Sequence, residues 1–351
     1  MTVQLVLLSG RVVLVGKLLK VLLLIAILLT FAAGGLLLLA SKTDIGAATV
    51  VSEIEKAARQ HLNADLSVSS VSGNPIRGFT INGLSLSRNG FKIFSSAETH
   101  ISFKLPSLAT GSPRIRSVSF GGALLNWAEI APLLSLEGTG GPLALPFDLF
   151  RVHKSIVQTH AGSIRIEEGR VAIKDQAIDA SGSLLFRDIP FTFSTEMWIG
   201  EERLDLKDLD VKGAGGKMTA SGRLLPVADL KGRISGLDIG MLEKFWPDLA
   251  RHGYSGEFST IFAAGGPWPD IKVEGELEIP KGVVYGIGVE KIGSPWTFSG
   301  NALEITGLEG VANGTEVSGK IQFVFSEMPP VTTIDMKAKR AELDSWRGSF
   351  P

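Results

Sequence analysis

The sequence predicts a mainly β protein: a long antiparallel sheet with one apolar face, an N-terminal transmembrane helix and few short helices. Three observations carry this. From Ala64 onward apolar and polar residues alternate with a period of two, which on a strand sends the two sets to opposite faces. The 351-residue chain holds 41 glycines, roughly 12% against a usual share of about 7%. They fall between apolar runs, as turn residues do. Residues 21–40 (VLLLIAILLTFAAGGLLLLA) form an uncharged run of 20 residues.

That run comes first in the chain. At about 1.5 Å per helical residue it covers roughly 30 Å, the thickness of a bilayer core. Gly34 and Gly35 are tolerated in a lipid-embedded helix. A cleaved signal peptide has an apolar region of about 7–15 residues and a small-x-small cleavage site; here the run is longer, and Leu38 stands where a small residue is wanted. The reading is a retained anchor. Arg11, Lys17 and Lys20 precede it and Lys42 and Asp44 follow. The positive-inside rule then leaves residues 1–20 cytoplasmic and carries the rest across the membrane.

Residues 43–62 read as an amphipathic helix. Thr43 or Asp44 can cap it, and Val51, Ile54, Ala58 and Leu62 recur at helical spacing among Glu53, Glu55, Lys56 and Arg59. Asn63 can end it. Its expected task is to plug the near end of the sheet.

Residues 64–351 form the strand array. Apolar residues alternate at Phe79/Ile81, Leu84/Leu86, Phe91/Ile93 and Ile101/Phe103, and later from Ile164/Ile166 through Leu303/Ile305 to Ile321/Phe323. One apolar and one wet face is the signature of an antiparallel sheet solvated on one side. Turns are expected at Asn82-Gly83, Asn89-Gly90, Glu168-Gly169, Lys281-Gly282 and Asn313-Gly314. Two stretches break the pattern: residues 124–146, a long excursion, and residues 240–250, a short helix. At about 11–12 residues per strand and turn the array predicts about 24 strands, stacking to roughly 115 Å.

Composition excludes several functions. A formal net charge of -1 does not suit a nucleic-acid partner, which requires a basic surface. There is no cysteine, hence no disulfide framework and no thiolate metal site. Gly314-Thr-Glu-Val-Ser-Gly-Lys-Ile321 fits phosphate-loop spacing until Ile321 replaces the metal-binding Ser or Thr. His153 and His160 lack metal-ligand spacing. Asp205, Asp208 and Asp210 alternate along a strand and read as a solvated face. No nucleophile elbow is present. No catalytic residue, metal or cofactor is expected, and the chain is not read as an enzyme.

Three stretches together resemble the AsmA-like superfamily, which includes AsmA and TamB. The first is the anchor and short helix, followed by Gly73-Asn-Pro75, Gly78-Phe-Thr-Ile-Asn-Gly-Leu-Ser-Leu86 and Ile101-Ser-Phe103. The second is Gly162-Ser-Ile-Arg-Ile-Glu-Glu-Gly-Arg-Val-Ala-Ile173. The third runs from Ser221-Gly-Arg-Leu224 and Gly232-Arg-Ile-Ser-Gly-Leu-Asp-Ile239 to Ala264-Gly-Gly-Pro-Trp-Pro-Asp270 and Val273-Glu-Gly-Glu-Leu277. The resemblance implies an elongated, curved antiparallel sheet of the half-pipe or β-groove kind, anchored in the inner membrane and periplasmic, that moves phospholipids toward the outer membrane. Bridging members are usually longer, which implies a short homologue or an N-terminal fragment.

On this reading phospholipid acyl chains and the inner membrane are the partners. Phe79, Ile81, Phe103, Ile166, Ile173, Phe193, Ile279, Trp296, Phe298, Ile305 and Phe323 are the expected trough lining. Two alternatives use the same architecture. One is a scaffold or assembly factor that engages an outer-membrane or periplasmic protein through exposed sheet edges. The other is a passive structural tether.

Overall fold

The computed structural model describes residues 64–74, 76, 78–104, 107, 114–127, 147–159, 162–200, 203–244, 253, 255–267, 270–284, 286–324 and 331–339. The predicted anchor 21–40, the helix 43–62, most of the excursion 124–146 and residues 245–250 of the second short helix lie outside them. Among the described residues the protein is mainly β, and no helix is long and apolar enough to cross a membrane. They fall into two compact units, 64–190 and 191–339.

The N-terminal unit holds β1 (Asp65–Ser67), β2 (Ser70–Asn74), β3 (Gly78–Arg88), β4 (Phe91–Phe103), β5 (Ile115–Gly121), β6 (Leu124–Asn126), β7 (Leu149–Thr159), β8 (Gly162–Lys174) and β9 (Ala177–Phe186). β1 and β2 share one side of β3, and β5 and β6 share one side of β4. β7 then runs parallel to both β5 and β6. The sheet is therefore mixed, not wholly antiparallel as expected. The physical reason is the connection spanning residues 127–148, long enough to return the chain to the end from which β5 started. The predicted excursion is this crossover, and its first residues are β6.

Phe79, Ile81, Ile101, Phe103, Ile115, Val118 and Phe120 fill the core of this unit. Ile81, Ile101, Ile115 and Val118 are each 1% exposed. Phenylalanines meet edge-on: Phe79 with Phe103 at 6.0 Å between centroids and Phe94 with Phe120 at 5.2 Å, the arrangement that ring quadrupoles favour.

The C-terminal unit holds β10 (Ile189–Ile199), β11 (Leu204–Gly213), β12 (Gly216–Leu225), β13 (Val227–Asp238), β14 (Ser255–Pro267), β15 (Lys272–Val284), β16 (Ile287–Ser299), β17 (Ala302–Ala312), β18 (Thr315–Val324) and β19 (Val331–Ala338). Each strand from β11 onward pairs antiparallel with its predecessor. A 3-10 helix, Ile239–Lys244, follows β13 where the sequence predicts the second short helix. Ile239 closes a small core with Ile279, Val289, Ile292, Leu308 and Val317.

Turn chemistry is only partly as the sequence predicts. Asn89-Gly90 and Asn313-Gly314 have positive φ at both residues (52° and 81°; 45° and 78°), as two-residue hairpin turns require. The other three predicted turns lie inside strands: Asn82-Gly83 in β3, Glu168-Gly169 in β8 and Lys281-Gly282 in β15. Strands of up to 13 residues are longer than the alternation suggests, so the described residues form 19 strands, not about 24.

What resembled a turn is a step in phase. In β3, β13 and β17 the segments Ile81-Asn-Gly-Leu84, Ile234-Ser-Gly-Leu237 and Ile305-Thr-Gly-Leu308 share one sequence pattern and a glycine with positive φ. The glycine has φ of +61°, +62° and +65° in turn, a conformation that costs an L-residue with a β-carbon but not glycine. The strand then shifts by one residue without ending. The ladder records this as register shifts at Ile234/Leu237 and Ile305/Leu308; in β3, where the ladder stays in register, it shows as burial of both Ile81 and Leu84. A strict alternation over such a length would turn the second half of the apolar set toward water. The extra residue keeps both halves on one face. Lys291 in β16, with φ of +52°, lies at a register shift of the same kind, between Glu290 and Gly293.

Candidate functional site: an apolar sheet face

Register assembles the apolar residues of the C-terminal unit into rows. One row crosses eight strands: Leu206, Gly222, Leu230, Ala264, Val273, Phe298, Leu303 and Phe323 are successive partners from β11 to β18. The adjacent row contains Gly232, Phe262, Gly275, Trp296, Ile305 and Ile321. A third contains Phe193, Val211, Met218, Ile234, Thr260, Leu277 and Ser294. Directly paired residues point the same way, so the three rows form one face.

The opposite face is polar. Its equivalent row reads Ser221, Lys231, Ala263, Glu274, Thr297, Glu304 and Gln322. Lys217 pairs with Asp210 and Lys272 with Glu274, and Gln322 donates to Glu304. The asymmetry comes from strand alternation alone.

Glycines let the aromatic rings lie down. The row Gly232, Phe262, Gly275, Trp296 alternates an absent side chain with a ring. A β-carbon on Gly275 would stand 2.9 Å from Trp296 Nε1, and one on Gly232 would stand 2.7 Å from Phe262 Cε1. Phe191 lies over Gly213 in the same manner. Rings seated in glycine notches give the face a low apolar floor where standing rings would have projected.

Three polar side chains within this face bond to the sheet itself. Trp296 Nε1 donates to Thr260 Oγ1 at 2.8 Å, and that hydroxyl donates to the Ile261 carbonyl at 3.1 Å. The single hydroxyl hydrogen of Ser294 is shared between the carbonyls of Thr306 and Pro295, each 3.0 Å from Oγ. The donor hydrogens of these groups are committed to the sheet. The face therefore offers a ligand chiefly dispersion and desolvation, with no donor hydrogen of Trp296, Thr260 or Ser294 left over.

The eleven expected lining residues divide. Phe193, Trp296, Phe298 and Phe323 are half-buried members of these rows. Ile305 is half-buried too but packs on the small core, and Ile279 belongs to that core. In the N-terminal unit Phe79, Ile81 and Phe103 are 3%, 1% and 5% exposed, enclosed in its core. Ile173 packs partly buried against that core, and Ile166 is half-buried one phase step away along β8. Phe262, Leu230, Val273, Leu303 and Met218 are among the row members that were not expected. Phe262 sits in Ile261-Phe-Ala-Ala264, where no polar alternation marks its face.

Other candidates are placed plainly. Residues 314–321 are the end of a turn and the first part of β18, with no helix after the glycine-rich segment. Asp208 and Asp210 lie on the polar face, whereas Asp205 is buried at 6% and held by Arg203 at 2.7 Å. Among the described residues no group of three or more His, Cys, Asp or Glu could hold a metal ion. His160 lies outside the described residues. No family model, no curated protein and no solved structure matches this chain.

Proposed function

We propose that the apolar face of the C-terminal unit carries phospholipid acyl chains, and that the protein is an inner-membrane-anchored periplasmic lipid-transfer protein of the AsmA-like kind. In this reading the sheet is a β-groove, residues 21–40 tether it, and lipids pass along it toward the outer membrane. The observation that carries the proposal is the row from Leu206 to Phe323, apolar or glycine at every strand it crosses. An acyl chain in water loses about 0.8 kcal/mol per exposed methylene. A floor of flat rings and aliphatic side chains recovers part of this at each strand, in similar shallow wells. With the donors of Trp296, Thr260 and Ser294 bonded to the sheet, headgroups stay in solvent and are not selected.

No step in this function requires acid–base or metal chemistry, so the protein is proposed to be a carrier and not an enzyme. Mass spectrometry of lipids retained by residues 45–351 tests the proposal. Phospholipids with mixed headgroups are expected; their absence, or retention of one headgroup alone, contradicts it.

One observation favours a second reading, a scaffold for an outer-membrane protein. β19 pairs with β18 alone among the described strands, and all eight of its residues are exposed. An open edge of this kind accepts an added strand. Saturable binding of a β-barrel protein, lost when Thr333 is replaced by proline, would favour it.

A further inference from the structure

Register brings aromatic and basic residues to one end of the N-terminal unit. The Asn89-Gly90 turn joins β3 to β4 and carries Phe91, which is 63% exposed, between Arg88 and the exposed Lys92. Phe94 pairs with Leu125, so Trp127 two residues on lies at this end. β7 runs parallel to β6, and Ile164 pairs with Phe186, so Phe186 and Arg187 lie there as well. The Arg187 guanidinium stands 5.8 Å from the Phe186 ring centre. Asp65 and Asp188 are the acidic residues nearest these groups in register and sequence.

The chain also enters the unit here. Asp65 pairs with Ser87, one residue before Arg88, and the apolar run 21–40 precedes it in sequence. The other end of the unit has an exposed apolar residue too, Ile76 at 74%. Basic residues lie there as well, Lys104 engaged by Asp148 at 2.7 Å and Arg114 and Lys174 exposed, but the chain does not enter at that end.

We propose that the Phe91 end of the N-terminal unit docks on an anionic phospholipid surface. Phe91 enters the boundary between headgroups and acyl chains, where aromatic residues are favoured. Arg88, Lys92 and Arg187 meet the negative headgroups, each basic residue near such a surface being attracted to it. Docking rests on the membrane-anchored part of the function proposed above and is separate from lipid transfer itself.

The chain has no cysteine, so single labels are unambiguous. Phe91→Cys, Lys92→Cys and Ile76→Cys variants of the full chain, each carrying an environment-sensitive dye, are reconstituted in vesicles of phosphatidylethanolamine and phosphatidylglycerol. Doxyl groups near the headgroup end of the acyl chains serve as quenchers. Docking gives blue-shifted, quenched emission at 91 and 92 and neither effect at 76, and the pair Arg88→Glu and Lys92→Glu abolishes quenching at 91. Quenching at 76 but not at 91 and 92, or at none of the three, overturns the proposal. Lipid transfer measured in the same vesicles reports separately: its loss with tip quenching intact removes the transfer function and leaves docking standing.

Discussion

The indole of Trp296 lies across Gly275 and donates its N–H to Thr260, two strands away, at 2.8 Å. Three consecutive strands are thereby locked at one point of the apolar face. The arrangement needs all three residues: a ring, a notch to hold it and an acceptor at its far edge. Its removal therefore affects both the fold and the smoothness of the floor.

Gly275 is the most restrictive of the three. A β-carbon there collides with the Ile261 carbonyl and approaches the indole at 2.9 Å. Gly275→Val is expected to destabilise the protein by about 1–3 kcal/mol, as overpacking does. Urea denaturation followed through tryptophan emission measures it. An unchanged midpoint would mean that the ring does not occupy the notch.

Thr260→Val keeps the shape of the site and removes the acceptor. The indole N–H is then left without its partner in a half-buried position, at a cost of about 1–3 kcal/mol. Thr260→Ser retains an acceptor at the same place and is expected to recover most of the loss. The comparison of the two variants in thermal denaturation isolates the hydrogen bond from packing.

The phase step in β17 depends on Gly307, whose φ is +65°. Gly307→Val places a branched side chain in the left-handed region, at a cost of about 1–2 kcal/mol. The nearest side chain to the new β-carbon is Pro295, at 4.0 Å, so the penalty is conformational and not steric crowding. Thermal denaturation should show it, with Gly300→Val, at a turn with φ of +57°, as a comparison of similar size.

Enclosed and open apolar residues should respond differently to truncation. Ile81, 1% exposed in the N-terminal core, is expected to lose about 2–5 kcal/mol on change to alanine. Phe323, half-buried beside the paired Leu303, should lose less in spite of its larger ring. Paired chemical denaturation curves decide, and a greater loss at Phe323 would mean that this part of the face is closed.

Much of the β architecture was legible because its signal is local. Alternation such as Ile101-Ser-Phe103 fixes a strand and its faces without reference to any partner. The phase steps were not legible as such. Ile81-Asn-Gly-Leu84 carries the same residues as a hairpin turn, and only the ladder on either side shows that β3 continues through it. The parallel placement of β7 was hidden for a related reason, since it depends on where a long connection returns. Enclosure of Phe79 and Phe103 depends on packing from other strands, so the same alternation that marks Phe298 could not separate core from open face. Phe262 shows the remaining gap: its seat over Gly232 is a relation between strands about thirty residues apart, set by register.

Site-specific photocrosslinking to phospholipid in intact cells tests the lipid-carrying face most directly. A photoreactive residue is placed in turn at Phe298 and Phe323 on the apolar rows, at the enclosed Ile81, and at the exposed Thr192 and Lys207. Lipid adducts are predicted at Phe298 and Phe323 and not at the other three positions. Adducts no more frequent at Phe298 and Phe323 than at Thr192 and Lys207 would contradict the assignment of this face to acyl chains.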